Sequence, residues 1–299
     1  MGTFSDTIKS ILRRKDILVR LILFNIVIFL VLALIGVVST LFKLDGIDLI
    51  EYLGVPSEVG VLIKQPWTVL TYMVTHENLW HIFFNMLIFF WFGQIFLTQF
   101  NSKNLGSLYL LGGLAGAVIY IIAFNTIPYY IDLAAESYKG YSIMIGASAS
   151  VMTIIFATAF YRPNTEVRLF MVFRVKIIYI AIFLFVIDFI SLKSETNPGG
   201  HLAHIGGAIM GIIFAKQYLK GRDITRWLNR LIDSIANLTK PKPKKMKVKY
   251  KSRETDYDYN KRKNQDSGEI DRILDKIKAS GYGSLNAEEK KRLFDASKK

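Results

Sequence analysis

Residues 202–219 read Leu-Ala-His-Ile-Gly-Gly-Ala-Ile-Met-Gly-Ile-Ile-Phe-Ala-Lys-Gln-Tyr-Leu. The run is predominantly apolar and close to the roughly 20 residues that a helix needs to cross a bilayer. Within it Ala203, Gly207 and Gly211 recur every four residues. They form a smooth stripe of the GxxxG kind, on which a second membrane helix can pack closely. His204 lies beside that stripe, and an ionisable side chain at membrane depth is a functional candidate by default. Such a segment belongs inside a bundle of membrane helices.

Five further apolar blocks precede it, at about 17–42, 80–100, 105–124, 143–161 and 176–192. Together they predict an all-α membrane protein with six spans. The first block follows Lys9, Arg13, Arg14 and Lys15, as a secretory signal would. Its apolar stretch is too long for one and no small-residue cleavage site follows, so it reads as an uncleaved first span. Arg20 can snorkel back to the basic side.

Composition agrees. Of 299 residues, 52% are hydrophobic and 21% charged, too apolar for an ordinary soluble chain, and the 21 Phe and 15 Tyr exclude disorder as the main state. There is no cysteine, which removes disulfide scaffolds, thiolate metal sites and cysteine nucleophiles.

Short-loop charges set the orientation. With the N-terminus inside, the inner segments carry Lys9, Arg13, Arg14 and Lys15, then Lys103, then Arg162, Arg168, Arg174 and Lys176. The outer loops hold Lys43, Lys64, Lys139 and Lys193 and collect Asp45, Asp48, Glu51, Glu58, Asp132 and Glu136. Both termini are therefore expected in the cytoplasm. The long first outer loop, 43–79, contains Val59 to Ile63 and Trp67, apolar enough to dip into the interface, and long loops are often functional.

Spans two, four and six all run from outside to inside. His81 near the start of span two, Ser148 about one turn into span four and His204 just inside span six are thus expected at one depth. A serine hydroxyl is a poor nucleophile until a positioned imidazole takes its proton, and Ser148 with His204 offers that pair. The run Gly146-Ala147-Ser148-Ala149-Ser150 permits close approach of a backbone or a substrate. His81 and Asn85, four residues apart, share a helix face and can both donate hydrogen bonds, as an oxyanion requires. Taken singly, each motif has an ordinary reading as helix packing; the conjunction at one depth does not.

At these residues the sequence resembles the rhomboid intramembrane serine proteases, over about 15–220. The family's GxSx motif opening span four is matched by Gly146, Ser148 and Ala149. Its AHxxGxxxG pattern in span six is matched by Ala203, His204, Gly207 and Gly211, and its HxxxN pattern in span two by His81 and Asn85. The resemblance implies a six-span bundle in which Ser148 is the nucleophile and His204 the general base, a dyad with no carboxylate third member. His81, Asn85 and the Ser148 N–H would hold the oxyanion. It implies no cofactor and no metal, and single-span membrane proteins as substrates, cut near the outer end of their helix. Three positions depart from the family: Ala149 where glycine is common, Met152 where some members place an aromatic ring, and Trp67-Thr68 in place of a Trp-Arg pair. None removes a catalytic group. The compact form resembles bacterial members, which would place the protein in a bacterial inner membrane.

The chain divides by composition into a cytoplasmic segment 1–16, a membrane domain 17–220, a linker 221–265 and a small helical hairpin 266–299. Thr225 to Leu238 is amphipathic, with Trp227, Leu228, Leu231, Ile232, Ile235 and Leu238 on one stripe, and suits the inner interface. Lys240 to Arg253 carries eight basic residues and no acid, +8 of the net +14. Beside a membrane such a run points to anionic lipid rather than nucleic acid. Asp266 to Glu269 and Asn286 to Glu289 each look like a capping box opening a short helix; a partner for this tail is not identified. Two other classes stay open. One is a non-catalytic scaffold of the same fold that binds transmembrane helices. The other is a metal-dependent enzyme using His76, His81, His201 and His204, which lacks cysteine ligands and the HExxH helix. Asp188, a single acid in span five, is weak support for proton coupling.

Overall fold

The computed structural model describes residues 16–44, 48–169, 173–194, 197–238 and 255–297. The basic residues before the first span and the polybasic run 240–253 lie outside them. The chain forms two compact units, 1–240 and 241–299.

The first unit is built from helices α1 (Ile17–Leu41), α5 (Leu79–Leu97), α6 (Ser102–Thr126), α8 (Ser148–Tyr161), α9 (Ile177–Ile190) and α10 (Pro198–Leu219). Each of the six expected apolar blocks contains one of these helices. Four of these helices, α1, α5, α6 and α10, are long and apolar enough to cross a membrane. Leu23, Phe24, Leu30, Leu34 and many other large apolar side chains on their outer faces are exposed, as a lipid-facing surface requires. The protein is an integral membrane protein with a helical bundle fold.

Two boundaries differ from expectation. Span four does not begin near 143: Ile143–Met144 form a strand, β2, that pairs antiparallel with β1 (Val55–Pro56), and α8 starts only at Ser148. Ser148 is therefore the first residue of its helix, not one turn into it. At 14 residues α8 is about 21 Å long, short of a full bilayer. It tolerates this because protein surrounds it: α5, α6, α9 and α10 pack on it, and Ala149 through Ala159 are all buried. Span six starts early, at Pro198, with Asn197 as N-cap in the left-handed region (φ 53°) accepting from the Gly200 N–H. His201 and His204 thus both lie within α10.

Small residues draw the centre together. A Cβ on Gly207 would collide with the Ala149 carbonyl oxygen, and one on Gly211 would lie 2.5 Å from the Thr153 carbonyl oxygen. The Thr153 hydroxyl donates to the Gly207 carbonyl (2.8 Å), tying α8 to α10 at the same contact. Ala203, on the same stripe, faces α6 as well: a Cβ on Gly116 would meet Ala149 Cβ at 2.7 Å and Ala203 Cβ at 3.3 Å.

The described residues of the long loop between α1 and α5, 48–78, are folded. They include α2 (Leu49–Leu53), α3 (Val59–Lys64), α4 (Thr68–Thr71) and a 3-10 turn, Tyr72–Val74. Val59, Ile63 and Trp67 are exposed, in keeping with an interfacial position. The Tyr72 hydroxyl donates to the Gly113 carbonyl (2.6 Å), and the Tyr109 hydroxyl to the Met73 carbonyl (2.8 Å), so α6 anchors the loop. At its outer rim Glu51 takes an ion pair from Lys139 and a hydrogen bond from the Tyr141 hydroxyl (2.9 Å). Those two donors hold the Glu51 carboxyl below the ordinary carboxylate range. A short helix α7 (Pro128–Ala135) meets the end of α9, where the Tyr130 hydroxyl donates to the Leu192 carbonyl. At the opposite end, strands β3 (Glu166–Leu169) and β4 (Phe173–Lys176) form a hairpin. There the amphipathic helix α11 (Arg226–Leu238) packs on the start of α6, through Lys103 to Asp233, Asn104 to Thr225 (2.8 Å) and Ser107 to Asn229 (2.7 Å).

The second unit holds α12 (Asp256–Ser280) and α13 (Ala287–Ala296), joined by a 3-10 turn and bridged by Lys276–Glu289 and Arg292–Glu269 pairs. The expected capping box at Asn286 and Glu289 is present. The one expected at 266–269 is not: those residues lie inside α12, which begins ten residues earlier with Thr255 as its N-cap.

Candidate active site

The fold gathers the N-terminal ends of α5, α8 and α10. Gly146 sits two residues before α8 with φ at +119°, a conformation open to glycine and costly for other residues. Its N–H donates to the Tyr72 carbonyl (2.9 Å), which fixes the turn against the first loop. An added Cβ there would lie 2.8 Å from His81 Nε2 and 3.7 Å from Ser148 Oγ. Gly146 is thus small and left-handed so that the His81 ring can lie over the turn that presents Ser148. His76, just before α5, packs edge-on to His81 with ring centroids 5.1 Å apart, and burial pushes its imidazole down to about 4.

Ser148 opens α8 with no side-chain cap before it. Its backbone N–H is one of the first-turn donors that a helix leaves without an internal acceptor, at the end where the helix dipole favours negative charge. Among the described residues the Ser148 hydroxyl makes no hydrogen bond. Ala149 and Ala203, the immediate neighbours of Ser148 and His204, both flank Gly116, so the two helices meet at the level of the serine and the histidine.

His204 is held from behind. Its Nδ1 lies 2.8 Å from Asp188 Oδ1, and His201 Nδ1 lies 2.9 Å from the same oxygen. A carboxylate only accepts, so each Nδ1 carries the hydrogen and Nε2 of His204 is left as the basic nitrogen. Asp188, the single acid of span five, is 5% exposed at the end of α9 and is bonded to the histidine. The spacing of His201 and His204, three residues apart on one helix face, was the available signal, with an acid at the end of the preceding span to meet them.

Asn85 is placed less directly. Its amide donates to the His81 carbonyl one turn back (2.9 Å), which leaves one amide hydrogen for another acceptor. His76 and His81 do not join His201 and His204 in a set of metal-ligand spacing. Among the described residues the donor atoms that approach such spacing are those of Asp188, His201 and His204, within 4.8 Å of one another. There the two imidazole N–H groups already share the carboxylate.

A profile of the Rhomboid domain matches residues 64–221, just over half of the chain and all of the site. The chain belongs to the rhomboid family. RHOMBOID-like protein 12, mitochondrial, from Arabidopsis thaliana is 29% identical over 164 residues, which cover 52% of this chain and 47% of that protein. Rhomboid-related protein 1 from Caenorhabditis elegans is 29% identical over 165 residues, 52% of this chain and 42% of that one. Rhomboid protein 1, mitochondrial, from Saccharomyces cerevisiae is 27% identical over 142 residues, 47% and 38% respectively. The matched region thus spans less than half the length of each of these relatives. Two of the three carry mitochondrial names and all are eukaryotic, so they lend no support to a bacterial inner membrane. Residues 253–299 match a family of unknown function, DUF6576, which covers the α12–α13 unit.

Proposed function

We propose that this rhomboid-family protein is an intramembrane serine endopeptidase that cuts single-span membrane proteins near the outer end of their helix. The observation that supports this most is the corner at the head of α8. There Ser148 begins the helix, the His81 ring lies over Gly146, and α10 supplies His204 with its Nδ1 already donated.

In this reading Ser148 Oγ attacks the scissile carbonyl carbon while its proton passes to His204 Nε2. The negative charge that develops on the carbonyl oxygen is met by the Ser148 N–H, the His81 ring and the second amide hydrogen of Asn85. His204 then gives its proton to the leaving amine, and the C–N bond breaks to leave a Ser148 acyl ester. Water, with its proton taken by His204, hydrolyses that ester and restores the serine. The substrate must present an unwound segment, because a helical peptide bond is shielded by its own hydrogen bonds. Small or helix-breaking residues make unwinding easier. Short-loop charges favour an orientation with both termini in the cytoplasm, so the site opens on the opposite side. The polybasic run 240–253 would then lie near anionic headgroups.

A second reading, a scaffold that binds transmembrane helices without cutting them, draws on the absence of a Ser148–His204 hydrogen bond. In unliganded sites catalytic hydrogen bonds are often long, so this weighs little. Cleavage of a single-span reporter by purified protein in detergent separates the two. Ser148→Ala and His204→Ala are expected to abolish cleavage, and undiminished cleavage by Ser148→Ala would sink the serine mechanism.

A further inference from the structure

One buried ionisable group has no part in the hydrolytic steps as written. Asp188 stands near the end of α9, an otherwise apolar helix, and its carboxylate is almost completely enclosed. A charge buried in this way persists only where it is paired or hydrogen-bonded. Its two neighbours are both imidazoles of α10, and both reach the same oxygen: His204 Nδ1 at 2.8 Å and His201 Nδ1 at 2.9 Å. The two rings stand nearly perpendicular, at 85°, with centroids 6.0 Å apart. The lone pairs of one carboxylate oxygen can accept two N–H groups, so the cluster is internally satisfied.

We propose that Asp188 is a positioning residue for His204, fixing the ring orientation and tautomer in which the Ser148–His204 pair works. The proposal rests on the reading of Ser148 and His204 as the hydrolytic pair. Two effects follow from the geometry. Acceptance of the Nδ1 hydrogen fixes the tautomer that leaves Nε2 free to take the serine proton. When Nε2 takes it, the histidine becomes an imidazolium whose charge faces a carboxylate 2.8 Å away. The proton stays on the histidine until it passes to the leaving amine. His201, donating to the same oxygen, keeps the carboxylate from turning away.

The groups that face His204 are few. Asp188 approaches from α9, His201 from α10 itself and His81 from α5, with Glu77 and His76 behind His81. Asp188 is the carboxylate in direct contact, so its removal should change how readily His204 is protonated.

The test compares wild type, Asp188→Asn and Ser148→Ala in reporter cleavage across pH 5–9, with thermal unfolding as a folding check. Asp188→Asn should lower kcat/KM by about 10²- to 10⁴-fold. It should also move the acidic limb of the profile to lower pH by about one unit or more, because the imidazolium loses its counter-charge. A purely structural role would reduce activity without moving the limb, and that result overturns the proposal, as does activity within twofold of wild type. Wild-type cleavage abolished by a chelator would assign the cluster to a bridging ion and overturn it too. Cleavage by Ser148→Ala would instead remove the hydrolytic reading itself. If Asp188→Asn does not fold, the ring tautomer in ¹⁵N-histidine-labelled wild type decides. A hydrogen-bonded Nδ1 proton that disappears in His204→Gln supports positioning by Asp188, and a hydrogen on Nε2 instead overturns it.

Discussion

Substitution of Gly207 by alanine tests the link between helix packing and the position of the nucleophile. The new methyl would point at the Ala149 carbonyl, a backbone atom that cannot rotate away, and would lie 3.0 Å from the Thr153 hydroxyl. The single hydrogen of that hydroxyl is shared between the Ala149 carbonyl of its own helix (2.9 Å) and the Gly207 carbonyl of α10 (2.8 Å). To regain ordinary contact α10 must retreat from α8 by about 1 Å, which also stretches the Thr153–Gly207 hydrogen bond between the two helices. Overpacking costs about 1–3 kcal/mol, and one weakened buried hydrogen bond adds about 1 kcal/mol. Ala149 directly follows Ser148, so the shift falls between the serine and His204, and a displacement of about 1 Å in a reacting pair costs about 10²-fold in rate. Thermal unfolding in detergent and kcat/KM for the reporter measure the two effects. Gly207→Ala should unfold several degrees earlier and lose about 10²-fold in cleavage. Gly36→Ala is the control: nothing lies within 4 Å of its added carbon on the exposed face of α1, so it should leave cleavage unchanged and should not lower the unfolding temperature. A Gly207→Ala protein with wild-type unfolding and wild-type cleavage would refute the claim that this contact sets the site.

Gly146→Ala should cost about 1–3 kcal/mol through its positive φ. It should also cost more than tenfold in activity by pushing His81 off the turn, whereas Ser150→Ala, one turn from these contacts, should keep the activity. His76 makes stability depend on pH. Its native value of about 4 lies below the ordinary 6.5, so the folded protein holds it neutral. As pH falls below 6.5 the unfolded chain takes up a proton that the native state refuses. Stability is therefore lost between about pH 6.5 and 4, by up to about 3 kcal/mol. Unfolding temperatures measured at pH 8 and pH 4.5 should show that loss in wild type and a smaller one in His76→Gln.

Much of the bundle was legible in the sequence because membrane helices announce themselves by length and by small-residue stripes. Ala203, Gly207 and Gly211 mark the closest helix contacts, and the Gly146–Ser148 run marks the turn beside them. The errors have local causes. Ile143 and Met144 are apolar enough to extend a span, but strand pairing with Val55 and Pro56 takes them out of the helix. α10 starts at Pro198 rather than near 202, because Asn197 caps it, Pro198 suits the first helical position, and Gly199 and Gly200 lie inside the helix. In α12 the Asp266–Glu269 motif is overridden by a helix already running, and Gly268, with open space around it, is tolerated there. The Asp188 contact was the hardest to see. It joins two residues 16 apart on successive spans, and only the packing of α9 beside α10 turns an isolated acid into the partner of His204.

The central claim is that Ser148 is a nucleophile activated by His204, and covalent trapping tests it most directly. Purified protein would be treated with a serine-directed fluorophosphonate and the modified residue located by mass spectrometry. The account predicts a single adduct on Ser148, lost in Ser148→Ala and strongly reduced in His204→Ala. An adduct on Ser150 instead, or labelling of Ser148 that proceeds undiminished without His204, would contradict it.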